Sequence, residues 1–274
     1  MKENLIQSAR LYIQDVFRTD AGGHDVSHTM RVYRNALLIA ESEPSCDVEQ
    51  VALAALLHDV DDRKLFSTEN NANARAFLES ECVPQEKIEA ICAIINSVSF
   101  SQNGERRPET IEAQIVQDAD RLDAMGAVGI ARTFAYGGSN GRPFEESIRH
   151  FHDKLLRLKD LMNTDKGREM AESRHAYLQD YLREYAAEVQ IRRIQYYETL
   201  LQKAEQILKD EDISYPELEL YIRELDDYYT GPSWKEDFAA DEAGLLPADL
   251  RRGVLSEDGI DDVLQKYRER TLKG

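Results

Sequence analysis

The stretch VEQVALAALLHDV, residues 48–60, constrains the fold of this 274-residue chain more than any other. Apolar side chains cover nearly every side of a helix drawn through it, so such a helix has to lie deep in a core. It ends on His58 and Asp59, and a histidine and a carboxylate buried side by side are costly unless paired or bound to a metal. Helical spacing recurs along almost the whole chain, and no clean alternating strand is found. The expected class is therefore all-α. The pattern predicts helices over residues 5–17, 26–43 (stopped by Pro44), 48–60 (capped by Asp47 with Gln50) and 69–81. A further helix follows Pro84 and carries Ile88, Ile91, Ile95 and Val98. Pro108 is placed to open the helix holding IEAQIVQDADRLDAMG.

Residues 136–143, YGGSNGRP, form the richest turn cluster and read as a mobile loop. Helical spacing resumes through Ile148, Phe151, Leu155, Leu158 and Met162. It continues over residues 167–209, too long for an ordinary globular helix, and is divided near residue 190. This sets two domains, 1–190 and 191–274. In the second, GVLSEDGIDDVL reads as a helix start with Ser256 as N-cap and Leu255 with Ile260 as a hydrophobic staple.

The balance of charge narrows the partners. Lys and Arg number 34 against 52 Asp and Glu, a formal net charge of −18. Both domains share it, since residues 191–274 alone carry 12 basic and 20 acidic groups. Such a surface repels phosphate backbones and anionic lipid, which argues against nucleic acid and membrane as partners. A small phosphorylated substrate fits only where a metal or local Lys and Arg reverse the field. Cys46, Cys82 and Cys92 are odd in number and form no CxxC pair, which reads as thiols in a reducing compartment. With no apolar run of secretory length at residues 1–17, the expected location is the cytoplasm. No oligomeric state follows from the sequence.

Chemistry concentrates in three segments. GGHDVSHTMRVYR holds His24 and His28, which locally read equally well as surface, core or ligand residues. His58 and Asp59 close the apolar helix, and Asp120 lies in QDADRLDAMG. Two imidazoles and two carboxylates from three helices suit Mn²⁺, Fe²⁺, Co²⁺, Mg²⁺ or Zn²⁺ and leave positions open for water and substrate. There is no P-loop, because GGSNGRP lacks the Gly-Lys-Ser/Thr ending and follows no strand.

His28, His58-Asp59 and Asp120, with the flanks GHDVSHTMRV, LAALLHDVDDRK and DADRLDAMGAVGIARTF, resemble the H…HD…D pattern of the HD-domain metal-dependent phosphohydrolases. With HDKLLRLKDLMNTDKGREMAESR following, they look like a bacterial branch associated with nucleotide pyrophosphohydrolysis. The resemblance spans residues 1–190 and implies a helical bundle, with His28, His58, Asp59 and Asp120 as ligands of a divalent metal, Mn²⁺ first among the candidates. It implies hydrolysis of (deoxy)nucleoside triphosphates to monophosphate and pyrophosphate. A phosphomonoesterase, a signalling-nucleotide phosphodiesterase and a non-catalytic nucleotide sensor are the alternatives.

In related HD hydrolases an acid just past the HD pair handles a proton. Asp62 holds the expected position, while Asp61 stands where a small residue is usual, so either acid fits. Asp118 and Asp123 flank Asp120; Asp123 shares its helical face, and both read equally well as solvated acids. Substrate phosphates are expected on His24, Arg31, Lys64, Arg121, Lys154, Lys159 and Asn163, with Arg63 a further nearby charge. Arg31 reads equally as a partner holding a carboxylate. His150, His152 and His175 match no ligand of the pattern. From residue 191, the YY…W…D…GVLSED pattern resembles a small bacterial domain of uncharacterised function and implies no chemistry. Asp237, Asp241, Glu242 and Asp258 there read as caps and solvated acids before a cation site. Trp234, Tyr228 and Tyr229 read as core or as contact with the first domain.

Overall fold

A computed structural model describes residues 2–18, 26–62, 66–98, 104, 106–209, 216–256 and 258–272. Helices are the regular secondary structure of the described residues, with no strand among them. None of those helices is long and apolar enough to cross a membrane. The chain divides into two compact units, Met1–Asp180 and Tyr181–Gly274.

The first unit is built on α1 (Lys2–Val16), α2 (Val26–Ala40), α3 (Val48–Leu57), α4 (Ala72–Ser80), α5 (Gln85–Val98) and α6 (Ile111–Asp123). After these come α7 (Gly126–Ser139), α8 (Phe144–Asp153) and a 3₁₀ helix, Leu155–Leu161. Every residue of α3 from Val51 to Leu57 is buried, as its all-round apolar surface requires. It packs against α1, α2, α5 and α6, and α2 and α6 also pack on each other. Asp47 starts α3 by accepting the amides of Glu49 (3.0 Å) and Gln50 (3.2 Å), the expected cap. The buried face of α2 carries His28, Val32, Ala36 and Ile39, so the helical period itself turns His28 inward.

Four local expectations are corrected. Helix α6 starts at Thr110, whose side chain accepts the Ala113 amide, so Pro108 precedes the cap instead of opening the helix. The glycine cluster is largely helical, since α7 runs through Gly137 and Gly138 to Ser139. A Cβ at Gly137 would lie 2.6 Å from Ser147 Oγ, so that glycine serves close packing of α7 on α8. Helix α4 begins at Ala72, three residues after the predicted start. The pattern over residues 167–209 is one helix, α9 (Asp165–Leu208), and the two units divide within it. No proline and no glycine after Gly167 interrupts it, so nothing local stops its propagation.

The second unit adds α10 (Pro216–Thr230), α11 (Pro232–Glu242), a 3₁₀ turn at Gly253–Leu255 and α12 (Gly259–Thr271). Its core joins Ile194, Leu201 and Ala204 of α9 to Leu225 and Tyr228 of α10, Val254 and Leu255, and Ile260 and Val263 of α12. Trp234 and Tyr229 pack against that core, and Trp234 Nε1 donates to the Val254 carbonyl at 3.0 Å. Asp237 is wholly buried. It accepts from Arg193 Nε (2.9 Å), Gln190 Nε2 (2.9 Å) and the Tyr228 hydroxyl (2.7 Å), a structural ion pair in place of a cap or a solvated acid. Ser256 does not cap α12 either; its hydroxyl donates to Gly253 O at 2.8 Å, and Asp258 occupies the N-cap position.

Candidate metal centre

Helix α2 brings His28, the end of α3 brings His58 and Asp59, and α6 brings Asp120. One ligand-type atom each from His28, His58 and Asp120 lie within 4.8 Å of one another. Asp59 Oδ2 is 3.3 Å from both His28 Nε2 and His58 Nε2, and Asp120 Oδ1 is 3.5 Å from His28 Nε2 and 4.0 Å from that of His58. The two Nε2 atoms face each other at 3.3 Å.

The other ring nitrogens are already engaged. His58 Nδ1 lies 2.9 Å from the Ala55 carbonyl, which only accepts, so Nδ1 carries the hydrogen. His28 Nδ1 lies 2.7 Å from the Asp123 carboxylate in the same relation. Both Nε2 lone pairs therefore point at two carboxylates with no hydrogen of their own to share, and a cation suits such a set. Without one, a proton takes its place. Burial opposes charge on His58, but the charge and hydrogen bond of Asp59, with Asp120 behind, outweigh burial and push it up to about 9. His28 is raised too, with burial again opposed by Asp123 and Asp59.

Asp123 is 2 % exposed, not solvated. Arg31 Nε (2.6 Å) and Nη2 (3.0 Å) fork onto it, and Arg132 Nη1 reaches its Oδ2 at 2.6 Å. Burial alone would raise its carboxyl; the bonds from His28 and Arg31, with the charges of His28 and Arg132, hold it far below the carboxylate range. Asp118 is buried as well, where its oxygens accept the backbone amides of Asn163 and Thr164 at 2.8 Å and the Thr164 hydroxyl at 2.8 Å. Burial is the largest influence on Asp118 and leaves its carboxyl above the ordinary value despite these donors.

Asp61 accepts the amides of Asn73 (2.9 Å) and Ala74 (3.0 Å) through separate oxygens, which caps α4 from outside the helix. Asn71, at the cap position with φ 55°, makes no side-chain cap bond of its own. Asp62 follows at the end of the same turn.

The expected phosphate contacts divide. Arg121 is buried and donates to the Leu161 carbonyl, and buried Asn163 spends its side-chain amide on Gln117 and Asp118. Lys159 pairs with Glu172 at 2.9 Å, and Lys154 is the C-cap of α8. Arg31 is spent on Asp123 with about a third of its side chain exposed. His24, Arg63 and Lys64 lie outside the described residues. Arg132 and Arg174 escaped the sequence reading. Arg174 donates to Leu122 O at 2.6 Å and Asn35 Oδ1 at 3.2 Å, beside the centre. A lone arginine in the apolar run GAVGIARTF was the available sign of Arg132.

Imidazole and carboxylate donors converging from three helices form a set that could hold a divalent metal. The HD-domain family model matches residues 25–125, and a domain of unknown function, DUF4298, matches residues 192–273. The uncharacterized protein YpgQ of Bacillus subtilis (strain 168) is 38% identical over 191 residues, 67% of this chain and 93% of that protein. The crystal structure of B. subtilis YpgQ in complex with ADP matches with a TM-score of 0.57 at 37% identity, covering 66% of this chain and 95% of YpgQ. An HD-superfamily hydrolase from Bacillus thuringiensis matches with a TM-score of 0.57 at 38% identity, over 69% of this chain and 98% of the other. The chain belongs to the HD family of metal-dependent phosphohydrolases and carries a DUF4298 domain at its C-terminal end.

Proposed function

We propose that the chain hydrolyses (deoxy)nucleoside triphosphates to monophosphate and pyrophosphate at the His28–His58–Asp59–Asp120 centre. The observation carrying this reading is the pair of opposed Nε2 atoms with both Nδ1 hydrogens engaged and two carboxylates alongside. The nucleotide bound in the similar YpgQ supports a nucleotide substrate. His28, His58, Asp59 and Asp120 would hold a divalent metal, Mn²⁺ in our reading, which when bound would lower the pKa of a water and draw charge from a phosphoryl oxygen. Asp62 takes the proton on its carboxylate, since Asp61 has both oxygens on the α4 amides. Lys154, with His24 and Lys64, holds the polyphosphate, and Arg31 and Arg132, each about a third exposed, offset part of the negative charge of Asp59, Asp120 and Asp123 in a chain of net charge −18. The chain is cytoplasmic in this reading.

The test is metal-stripped protein with Mn²⁺, Mg²⁺ or neither, against nucleoside tri-, di- and monophosphates, with pyrophosphate and orthophosphate resolved. Metal-dependent pyrophosphate release that Asp59→Ala abolishes is the expected result. Orthophosphate alone would redirect the reading to a phosphomonoesterase, and binding without turnover to a sensor.

A further inference from the structure

We propose that Asp123 is a positioning residue for the metal centre: it accepts the Nδ1 hydrogen of His28 and so turns Nε2 to the cation, and Arg31 and Arg132 hold its carboxylate in place for that task. The inference rests on the reading of His28 as a metal ligand.

Three elements build the device. His28 and Arg31 stand one turn apart on α2, Asp123 is the last residue of α6, and Arg132 lies on α7. Gly126 makes the turn between α6 and α7 at φ +66°, a conformation that a side chain resists. Oδ2 of Asp123 receives His28 Nδ1–H at 2.7 Å, Arg31 Nη2 at 3.0 Å and Arg132 Nη1 at 2.6 Å, while Oδ1 receives Arg31 Nε at 2.6 Å. The 2.9 Å approach of Arg132 Nη1 to His28 Nδ1 is the third side of that triangle, since both groups donate to the same oxygen.

A carboxylate this buried would be expensive alone, and one arginine would neutralise it. Two are present, and their contacts fix the oxygen that receives the imidazole N–H. His58 obtains the same tautomer from the Ala55 carbonyl, which is neutral. The two ligands are therefore oriented by different means: backbone geometry for His58, and a charged side-chain network for His28. Only the second is removable by substitution without disturbing the helix that carries the ligand.

Asparagine at position 123 keeps the shape but removes the charge, and it has one oxygen in place of two for the donors of His28, Arg31 and Arg132. The experiment titrates the metal-stripped full chain with Co²⁺, reading affinity from visible absorption. Proton spectra of the loaded protein in H₂O and D₂O then read the ligand imidazoles. Wild type is expected to show two hyperfine-shifted exchangeable N–H signals, one from each histidine. Asp123→Asn should weaken Co²⁺ binding about 10–100-fold and displace or erase one signal while the other stays. Arg132→Gln should give a smaller loss in the same direction. A general loss of packing would not single out one ligand's N–H.

Unchanged affinity with both signals in place in Asp123→Asn would overturn the proposal. Should that variant fail to fold, the wild type decides alone, because a single exchangeable signal there also overturns it. If Asp59→Ala binds Co²⁺ as wild type does, the metal reading falls first, and this inference with it.

Discussion

Six aspartates stand in two short stretches, residues 59–62 and 118–123, and chemically similar neighbours do unlike work. Asp59 and Asp120 face the imidazole pair, Asp61 caps α4, Asp118 binds the Asn163–Thr164 turn, and Asp123 meets His28. What separates them is the direction each Cβ takes from its turn, not their residue type. Asp61 and Asp62 give the sharpest contrast. Asp61→Ala strips two amides of α4 of their acceptor, at a cost of about 0.5–2 kcal/mol, and should lower the melting temperature while kcat stays near wild type. Asp62→Ala should do the reverse: kcat falls about 10²–10⁴-fold, with Co²⁺ affinity and melting temperature preserved. Initial rates and thermal melts on the two variants check this, and exchanged phenotypes would hand the proton to Asp61.

At the level of elements, α3 depends on a cap that titrates. Burial would raise the Asp47 carboxyl, but the Gln50 amide and side chain, then Lys87 and the Glu49 amide, hold it below its ordinary 3.8. A depressed folded-state pKa contributes stability that is fully present above 3.8 and disappears as pH falls through the lower folded value. Asp47→Ala should cost about 0.5–2 kcal/mol at neutral pH, and its melting temperature should converge on that of wild type in strong acid. Melts from pH 7 down to pH 2 test the convergence.

The start of α3 was legible because cap and helix are adjacent in sequence. The burial of α3 was legible because an all-round apolar helix has one place to go. The start of α4 was not, because its acceptor, Asp61, lies twelve residues before Asn73. Pro108 and Ser256 carry helix-start signals, but Thr110 and Asp258 hold the N-cap positions. Periodicity marked Asp123 as sharing a face with Asp120, but it names a face and not what lies opposite. Its partners His28 and Arg31 are more than ninety positions away in sequence.

Across the whole molecule, the four donors and the network that orients them lie between His28 and Arg132, inside the first unit. The second unit has a buried polar knot of its own, with Asp237 fully enclosed by Arg193, Gln190 and Tyr228. The hydroxyl of Tyr228 is pushed up by burial and then by its bond to Asp237, so at neutral pH it remains a donor to that carboxylate. Substitution here separates stability from the metal chemistry. Asp237→Ala strands the Arg193 charge, and because that guanidinium keeps some water contact the cost belongs at the low end of the buried-pair range, about 3 kcal/mol. Melting temperature should therefore drop, while Co²⁺ binds with affinity within twofold of wild type. Metal at a hundred times its dissociation constant should add about 2.7 kcal/mol to whatever folded state holds it, in wild type and variant alike. Melts of both proteins with saturating Co²⁺ and with chelator read the two effects separately. An affinity that falls together with the melting temperature would mean that the knot around Asp237 supports the metal centre after all, and that the DUF4298 domain acts on the hydrolase site.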